Sequence, residues 1–199
     1  MRRVRAYVGL GANLGDPAAT LAAAIHVLSA LPDVHLRGVS RLYSTRPVGV
    51  EDQPAFRNAV VRLDAPAGPD PSTGAVALLV ALKGVERAFG RRARVRWGPR
   101  ELDLDLLIFG RARLSIERPT EGVSLDRGNA DRLLVVPHPE AGERLFVLAP
   151  LGDLAPGLVP PGWSETVGSA RRRREIVEGP DAVVVIGCWV GNSWSSRED

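Results

Sequence analysis

Residues 102–108, LDLDLLI, set two carboxylates inside a run otherwise made of leucine and isoleucine. In a β-strand successive side chains point to opposite faces, so Leu102, Leu104, Leu106 and Ile108 share one face and Asp103 and Asp105 the other. The rise of a strand puts the two aspartate Cα atoms about 6.6–7 Å apart. A strand over 101–109 is therefore predicted to bury one face and present paired acids on the other. That spacing lets two carboxylates converge on one cation or on a pair of them. Oxygen-only ligands of this kind favour Mg²⁺, which keeps its waters and takes further ligands from a nucleotide's phosphates. The same pattern also suits a solvated strand face whose acids deter edge pairing.

The neighbouring charges bear on that choice. Arg87, Arg91, Arg92, Arg94, Arg96 and Arg100 all lie within 87–100, just ahead of the aspartates. Net charge is +3, the sequence pI is about 9.7, and Lys83 is the only lysine. A composition bias toward arginine explains the total, so the clustering carries the argument. Guanidinium forks match phosphate oxygens, and an arginine loop beside an acidic strand is how a polyphosphate with metal ions would be held. Gly90, Gly98 and Pro99 give this loop freedom at one end and stiffness at the other, as a closing lid requires. A second cluster, Arg171–Arg174, falls in a basic helix candidate.

The rest of the chain supplies a frame. RVRAYVGL (3–10) reads as a strand, and Asp16-Pro17 as the cap and first position of a helix that stops before Pro32. Residues 34–44 alternate as a second strand and 56–63 as a third, with the loop 45–54 between them. Ser72 is predicted to cap an amphipathic helix running to Phe89. RARLSIE and LLVVPH read as short strands around a polar stretch, and 139–151 as a short helix. A basic helix in 164–177 and an apolar strand over 182–190 follow. The order β-α-β-β-α-β over the first 110 residues is that of an α+β, ferredoxin-like split βαβ unit, not a strictly alternating parallel sheet.

At 199 residues, 45% hydrophobic and 25% charged, the chain reads as one globular domain with a possible tail: 1–162, then a C-terminal extension, 163–199, packed on or trailing it. One cysteine, Cys188, leaves no intramolecular disulfide and sits in an apolar run, where thiols are usually inert packing. The longest apolar run, 182–190, is too short to span a bilayer, and the N-terminus lacks a signal-peptide core, so a cytoplasmic protein is expected. Gly9, Gly11 and Gly15 are misspaced for a dinucleotide fingerprint and read as a tight strand-to-helix turn. The loop TRPVGVEDQP with Phe56 and Asn58 can offer backbone groups, a stacking ring and an amide to a planar heterocycle; a plain hairpin with Phe56 in the core is the other reading. His26 and His35 show no partner in sequence.

Four blocks, YVGLGANLGD, YSTRPVGVEDQPAFRNAVV, RWGPRELDLDLLIFG and VPHPEAGERLFVLAPL, resemble the 6-hydroxymethyl-7,8-dihydropterin pyrophosphokinase family, in the family's order over residues 5–161. The resemblance implies transfer of the β,γ-diphosphate of ATP to the pterin's hydroxymethyl oxygen, with release of AMP. It implies two Mg²⁺ ions, and a mostly antiparallel sheet with helices on both sides, a three-layer αβα. It makes Asp103 and Asp105 the metal ligands, and Arg91 and Arg100 catalytic arginines. Glu86, Arg96, Trp97, Arg100, Leu106, His138 and Arg144 become nucleotide contacts. Thr45, Pro47, Val48, Phe56, Asn58 and Phe146 become the pterin site, with the two phenylalanines sandwiching the bicycle. The second loop arginine is Arg92 or Arg94. Small-molecule substrates are then the expected partners of a monomer, with no nucleic acid or membrane. FRNAVVRL lacks the aromatic pattern that RNA-binding sheets of similar fold use for stacking.

Overall fold

Asp16 and Asp70 each stand one residue ahead of a proline, and each starts a helix. The Asp16 carboxylate accepts from the Ala19 N–H at 3.0 Å, and that of Asp70 from the Thr73 N–H at 2.9 Å. Both prolines then sit where a missing N–H costs nothing. The computed structural model describes residues 2–47, 52–91, 98–119 and 131–196. Its elements are β1 (Arg3–Ala12), α1 (Pro17–Ser29), β2 (His35–Val39), β3 (Leu42–Thr45), β4 (Phe56–Pro66), α2 (Pro71–Ala88), β5 (Asp103–Phe109), β6 (Leu114–Glu117), β7 (Arg132–Val136), α3 (Leu145–Leu154), α4 (Val167–Glu178), β8 (Val183–Val190) and β9 (Ser193–Ser196). Ser72, expected as the cap of α2, lies inside its first turn; Asp70 outcompetes it by also accepting from the Thr73 hydroxyl at 2.7 Å.

The main sheet runs β5-β1-β4-β3-β8-β9, with β2 also paired to β4, and neighbouring strands are antiparallel. Alternation gives it two apolar faces. Ala6, Val8, Leu10, Val61, Leu63, Leu104 and Leu106 pack with Leu21, Ile25 and Leu28 of α1 and Leu78 and Leu82 of α2. On the other face Tyr7, Val60, Leu107 and Ile108 pack with Leu148 and Leu151 of α3 and Val167 and Ala170 of α4. Each fully buried leucine contributes about 2 kcal/mol to holding these layers together. The architecture is α+β, a mostly antiparallel sheet with helices on both faces. β6 and β7 form a separate pair.

Two irregularities change what the alternation predicts. In β5, Ile108 pairs with Tyr7 but Leu106 pairs with Val8, so Leu107 is an extra residue. Beyond this bulge the faces exchange: Ile108 leaves the Leu104–Leu106 side and Phe109 takes its place. The expected strand over 34–44 is broken at Ser40–Arg41. There the Ser40 N–H and hydroxyl engage both backbone groups of Val60, each at 2.9 Å, and the Arg41 N–H turns to Asp153 at 3.1 Å. The predicted 139–151 helix is a single tight turn, Ala141–Glu143, followed by α3.

Beyond residue 162 the chain continues the same sheet: β8 pairs with β3, and β9 is an unforeseen further strand. Trp189 and Trp194 meet edge to face at 4.8 Å, and His26 of α1 lies 2.8 Å from the Asn192 carbonyl, a partner invisible in the sequence. Cys188, expected to be packed, is exposed, because alternation turns it away while its neighbour Gly187 is buried. Among the described residues no helix is long and apolar enough to cross a membrane.

Candidate active site

The register of the sheet lays the site out in rows on the face covered by α3 and α4. One row runs Asp103, Gly11, Asn58, Tyr43; beside it run Asp105, Gly9, Val60 on one side and Phe56, Thr45 on the other. The two aspartates therefore face glycines across β1. A Cβ on Gly11 would come 3.2 Å from Asn58 Oδ1, so the missing side chain is what opens the floor between acid and amide. Gly9 and Gly11 are thus strand residues; only Gly15, at φ +63°, lies in the turn where all three were expected. The signal was present as two glycines and two aspartates with the same spacing of two.

A cavity of about 100 Å³ opens over this floor, lined by Gly11, Thr45, Arg46, Phe56, Asn58, Arg100, Asp103, Arg144 and Phe146. Asn58 Nδ2 donates to Thr45 Oγ1 at 2.7 Å, which orients both buried polar groups. Phe56 lines the cavity at the start of β4 rather than filling the core, and Phe146 enters from the first turn of α3. The Arg144 guanidinium lies 5.6 Å from the Phe146 ring centre. Asn13, missed in the sequence, fastens the rim. Its amide donates to Gln53 Oε1 and the Pro54 carbonyl, both at 3.0 Å, while its Oδ1 accepts from the Arg100 N–H at 2.8 Å.

Charge concentrates at the other end. Arg91 Nη1 donates to Asp103 Oδ1 at 2.6 Å, and Arg100 pairs with the second oxygen of the same carboxylate. Burial opposes the Asp103 charge, but Arg100 and Arg91 hold the carboxyl below the usual carboxylate range. Arg91 also pairs with Glu86, which is only 2% exposed. Glu86 accepts from Lys83 Nζ and from the Leu104 N–H, each at 2.7 Å, and Lys83 donates onward to the Leu104 carbonyl at 2.9 Å. This strap ties α2 to the residue between the two aspartates. Burial pushes the Glu86 carboxyl above its ordinary range against the pull of Lys83 and Arg91.

Other expected residues fall in different places. His138 packs its backbone on the bulge, donating to the Leu107 carbonyl at 2.9 Å, and its Nδ1 accepts from the Glu140 N–H at 3.3 Å. The neutral ring therefore carries its proton on Nε2. Burial lowers its proton affinity, with Asp105 opposing and Arg144 assisting. Leu106 turns into the core against α1 and α2, away from the cavity, and Glu86 points inward to its strap rather than to the cavity lining. Pro47 is half-buried beside Arg46. Val48, Arg92, Arg94, Arg96 and Trp97 lie outside the described residues.

The donor set suits a cation that arrives with its substrate. Among the described residues no three metal-binding side chains stand together. Asp103 and Asp105 offer two hard carboxylates on one face, and Asp103 is kept ionised. Mg²⁺ bound through one or two carboxylates plus phosphate oxygens fits that set.

Paired acids on a strand, arginines converging on them and a ring-lined cavity alongside define a phosphate-transferring enzyme of α+β build. The chain belongs to the 7,8-dihydro-6-hydroxymethylpterin-pyrophosphokinase (HPPK) family, whose profile matches residues 7–156. It is 42% identical over 154 residues to the 2-amino-4-hydroxy-6-hydroxymethyldihydropteridine pyrophosphokinase of Pseudomonas aeruginosa, covering 77% of this chain and 82% of that one. Against the same-named enzyme of Methylorubrum extorquens it is 41% identical over 166 residues, 83% and 90% of the two chains. Among solved structures, an HPPK-DHPS in complex with substrates superposes with a TM-score of 0.72 at 14% identity, over 98% of this chain and 49% of that one. The Plasmodium falciparum HPPK-DHPS triple mutant gives 0.71 at 15% identity, over 98% and 48%. The chain spans about half the length of these two HPPK-DHPS chains, and at such identity the likeness is one of fold.

Proposed function

We propose that this chain transfers the terminal diphosphate of ATP to the hydroxymethyl group of 6-hydroxymethyl-7,8-dihydropterin, releasing AMP, a step of folate biosynthesis. The observation that carries this reading is the shared cavity. Phe56, Phe146, Asn58 and Thr45 line one part of it, Asp103, Arg100 and Arg144 the other, so a planar acceptor and a polyphosphate would meet there. The pterin hydroxyl oxygen bonds to Pβ, the Pα–O–Pβ bridge breaks at Pβ, AMP leaves with the bridging oxygen, and the hydroxyl proton passes to solvent.

Each residue has a part. Phe56 and Phe146 sandwich the bicycle, and Asn58, with the backbone of Thr45, Pro47 and Val48, reads its polar edge; an analogue lacking that edge leaves buried groups unpaired. Asp103 and Asp105 would hold two Mg²⁺ ions, whose chemistry would be to neutralise phosphate charge and make the acceptor hydroxyl more acidic. Arg91 and Arg100 exchange Asp103 for the transferring phosphates, and His138 with its Nε2–H and Arg144 contact phosphate oxygens. Arg96 and Trp97 join them from the loop, with Arg92 or Arg94 beside Arg91, while Glu86 braces Arg91 from behind and Leu106 stays in the core. In this kind of transfer catalysis is mostly positioning and charge stabilisation, so no strong base is required.

The strand order β5-β1-β4 followed by β2 and β3 supports a ferredoxin-like core, closed by the C-terminal strands into one domain with the rest of the chain. The protein acts as a cytoplasmic monomer on small molecules. The deciding experiment measures AMP release from Mg-ATP with and without hydroxymethyldihydropterin. Release strictly dependent on the pterin is expected; pterin-independent release, or none, refutes the assignment.

A further inference from the structure

The row of site residues does not end at Tyr43. β8 continues it, and β8 lies beyond the residues that the family profile matches. Val185 stands opposite Tyr43 and Val183 opposite Thr45. Residues opposed across antiparallel strands share a face, so these valines flank the strand that carries the Thr45 hydroxyl. Both also pack on a small buried cluster of Tyr43, Leu145 and Ala149. Leu145 immediately precedes Phe146, so one pair of valines touches the supports of two cavity walls, β3 and the first turn of α3.

A second tie has the same endpoints. Asp153, near the end of α3, accepts from the Tyr43 hydroxyl at 2.8 Å and from Arg41 Nε at 3.1 Å. Arg171 of α4 approaches that carboxylate at 3.4 Å. Without β8, the four-residue β3 would be an edge held on one side only, and short edges fray. The cavity lining itself contains no residue of the C-terminal segment. β8 therefore bears on the cavity through the backbone and packing of β3 and α3.

We propose that β8, through Val183 and Val185, positions the acceptor half of the cavity: it fixes the gap between the Thr45 strand and Phe146, and so sets affinity for the planar acceptor. The nucleotide half is built mainly on β5 and the end of α2, with only Arg144 adjoining the start of α3, and is affected far less. The acceptor's identity rests on the functional reading above; the positioning role does not.

The test uses the full-length chain with Val185→Asp, which drives a carboxylate into the apolar cluster near Asp153, with Val185→Ala, and with Val185→Ile as the conservative control. Steady-state AMP release is measured with pterin and Mg-ATP varied in turn. Val185→Asp raises the pterin KM about tenfold or more, since small misplacements of a binding wall are costly. Val185→Ala raises it about two- to fivefold through the lost packing. The KM for ATP stays within about twofold, and Val185→Ile behaves as wild type. An unchanged pterin KM in both damaging variants, or equal rises for both substrates, overturns the proposal; if Val185→Asp does not fold, the Ala and Ile variants decide. Hydrogen exchange gives a reading independent of activity, which separates this proposal from the functional one should the wild-type chain release no pterin-dependent AMP. Faster exchange confined to β3 and the start of α3 in Val185→Ala supports it, and unchanged exchange there refutes it.

Discussion

Arg91 and Arg100 converge on one carboxylate, Asp103, with Arg91 also on Glu86, whereas three of the four arginines of α4 spread over five carboxylates and the fourth takes a hydroxyl. Arg171 pairs with Glu175 at 2.7 Å and with Asp153, Arg173 with Glu143 and Glu165 at 3.1 Å, and Arg174 with Glu178 at 2.7 Å, while Arg172 donates to the Ser169 hydroxyl. In sequence the two clusters are similar runs of basic residues. They differ in the ratio of cation to anion and in burial. Two guanidiniums on one half-buried acid can be redistributed when a polyanion arrives. Arginines already spread over several acids on a helix surface serve as struts between α4, α3 and the turn at 141–143.

Substitutions on either side put that contrast at risk. The largest effect is expected at the acids: Asp103→Ala or Asp105→Ala lowers kcat by about a thousandfold or more, since each removes a hard ligand where charge develops. Near-normal turnover in either variant sinks the metal assignment. Next is Arg91→Ala, expected to lower kcat about a hundredfold while the affinity of a non-hydrolysable ATP analogue changes only a few-fold, because a group that changes partners acts chiefly in the transition state. Equal losses in the two quantities would make Arg91 a binding element only.

A smaller effect separates the regions by pH. The His138 ring has a lowered proton affinity in the fold, so the unfolded chain binds more protons just below pH ~6.5 and stability falls as pH drops through that window. Replacing His138 with Gln flattens that slope, a change on the order of 1 kcal/mol or less, readable from denaturant midpoints between pH 7 and pH 5. A slope that persists in the variant would assign it to another group. The smallest effect is expected at Arg174→Ala: turnover unchanged and stability lowered by about 0.3–0.5 kcal/mol, as for an i,i+4 surface pair. A marked loss of turnover there would erase the distinction between the two clusters.

What could be read in advance follows the range of the forces involved. The alternation around Asp103 and the Asp16-Pro17 helix start are local and were legible; at α2 the same Asp-Pro signal was passed over for Ser72. The bulge at Leu107, which moves Ile108 to the opposite face, depends on how Tyr7 and Val8 meet β5, and no local pattern marks it. The break at Ser40 depends in the same way on Val60 and Asp153. In the site, Asp103 and its arginines were readable from charge polarity. Gly11 and Asn13 were not, because a glycine's role lies in what stands opposite it and an asparagine's in three distant partners. The segment after residue 162 could be parsed into a helix and a strand, but its docking on β3 is a contact across more than 130 residues of chain.

Lys83 has a practical consequence. The sequence holds a single ε-amine, and it sits on the strap that joins α2 to the backbone between the two aspartates. Its side chain is 38% exposed, so small amine-directed reagents can reach it. Apart from the N-terminus, such a reagent has one address in the molecule, and acylation there exchanges a charged clamp for a neutral one. A probe of this kind would watch the acid-bearing strand from behind, without occupying the cavity in front of it.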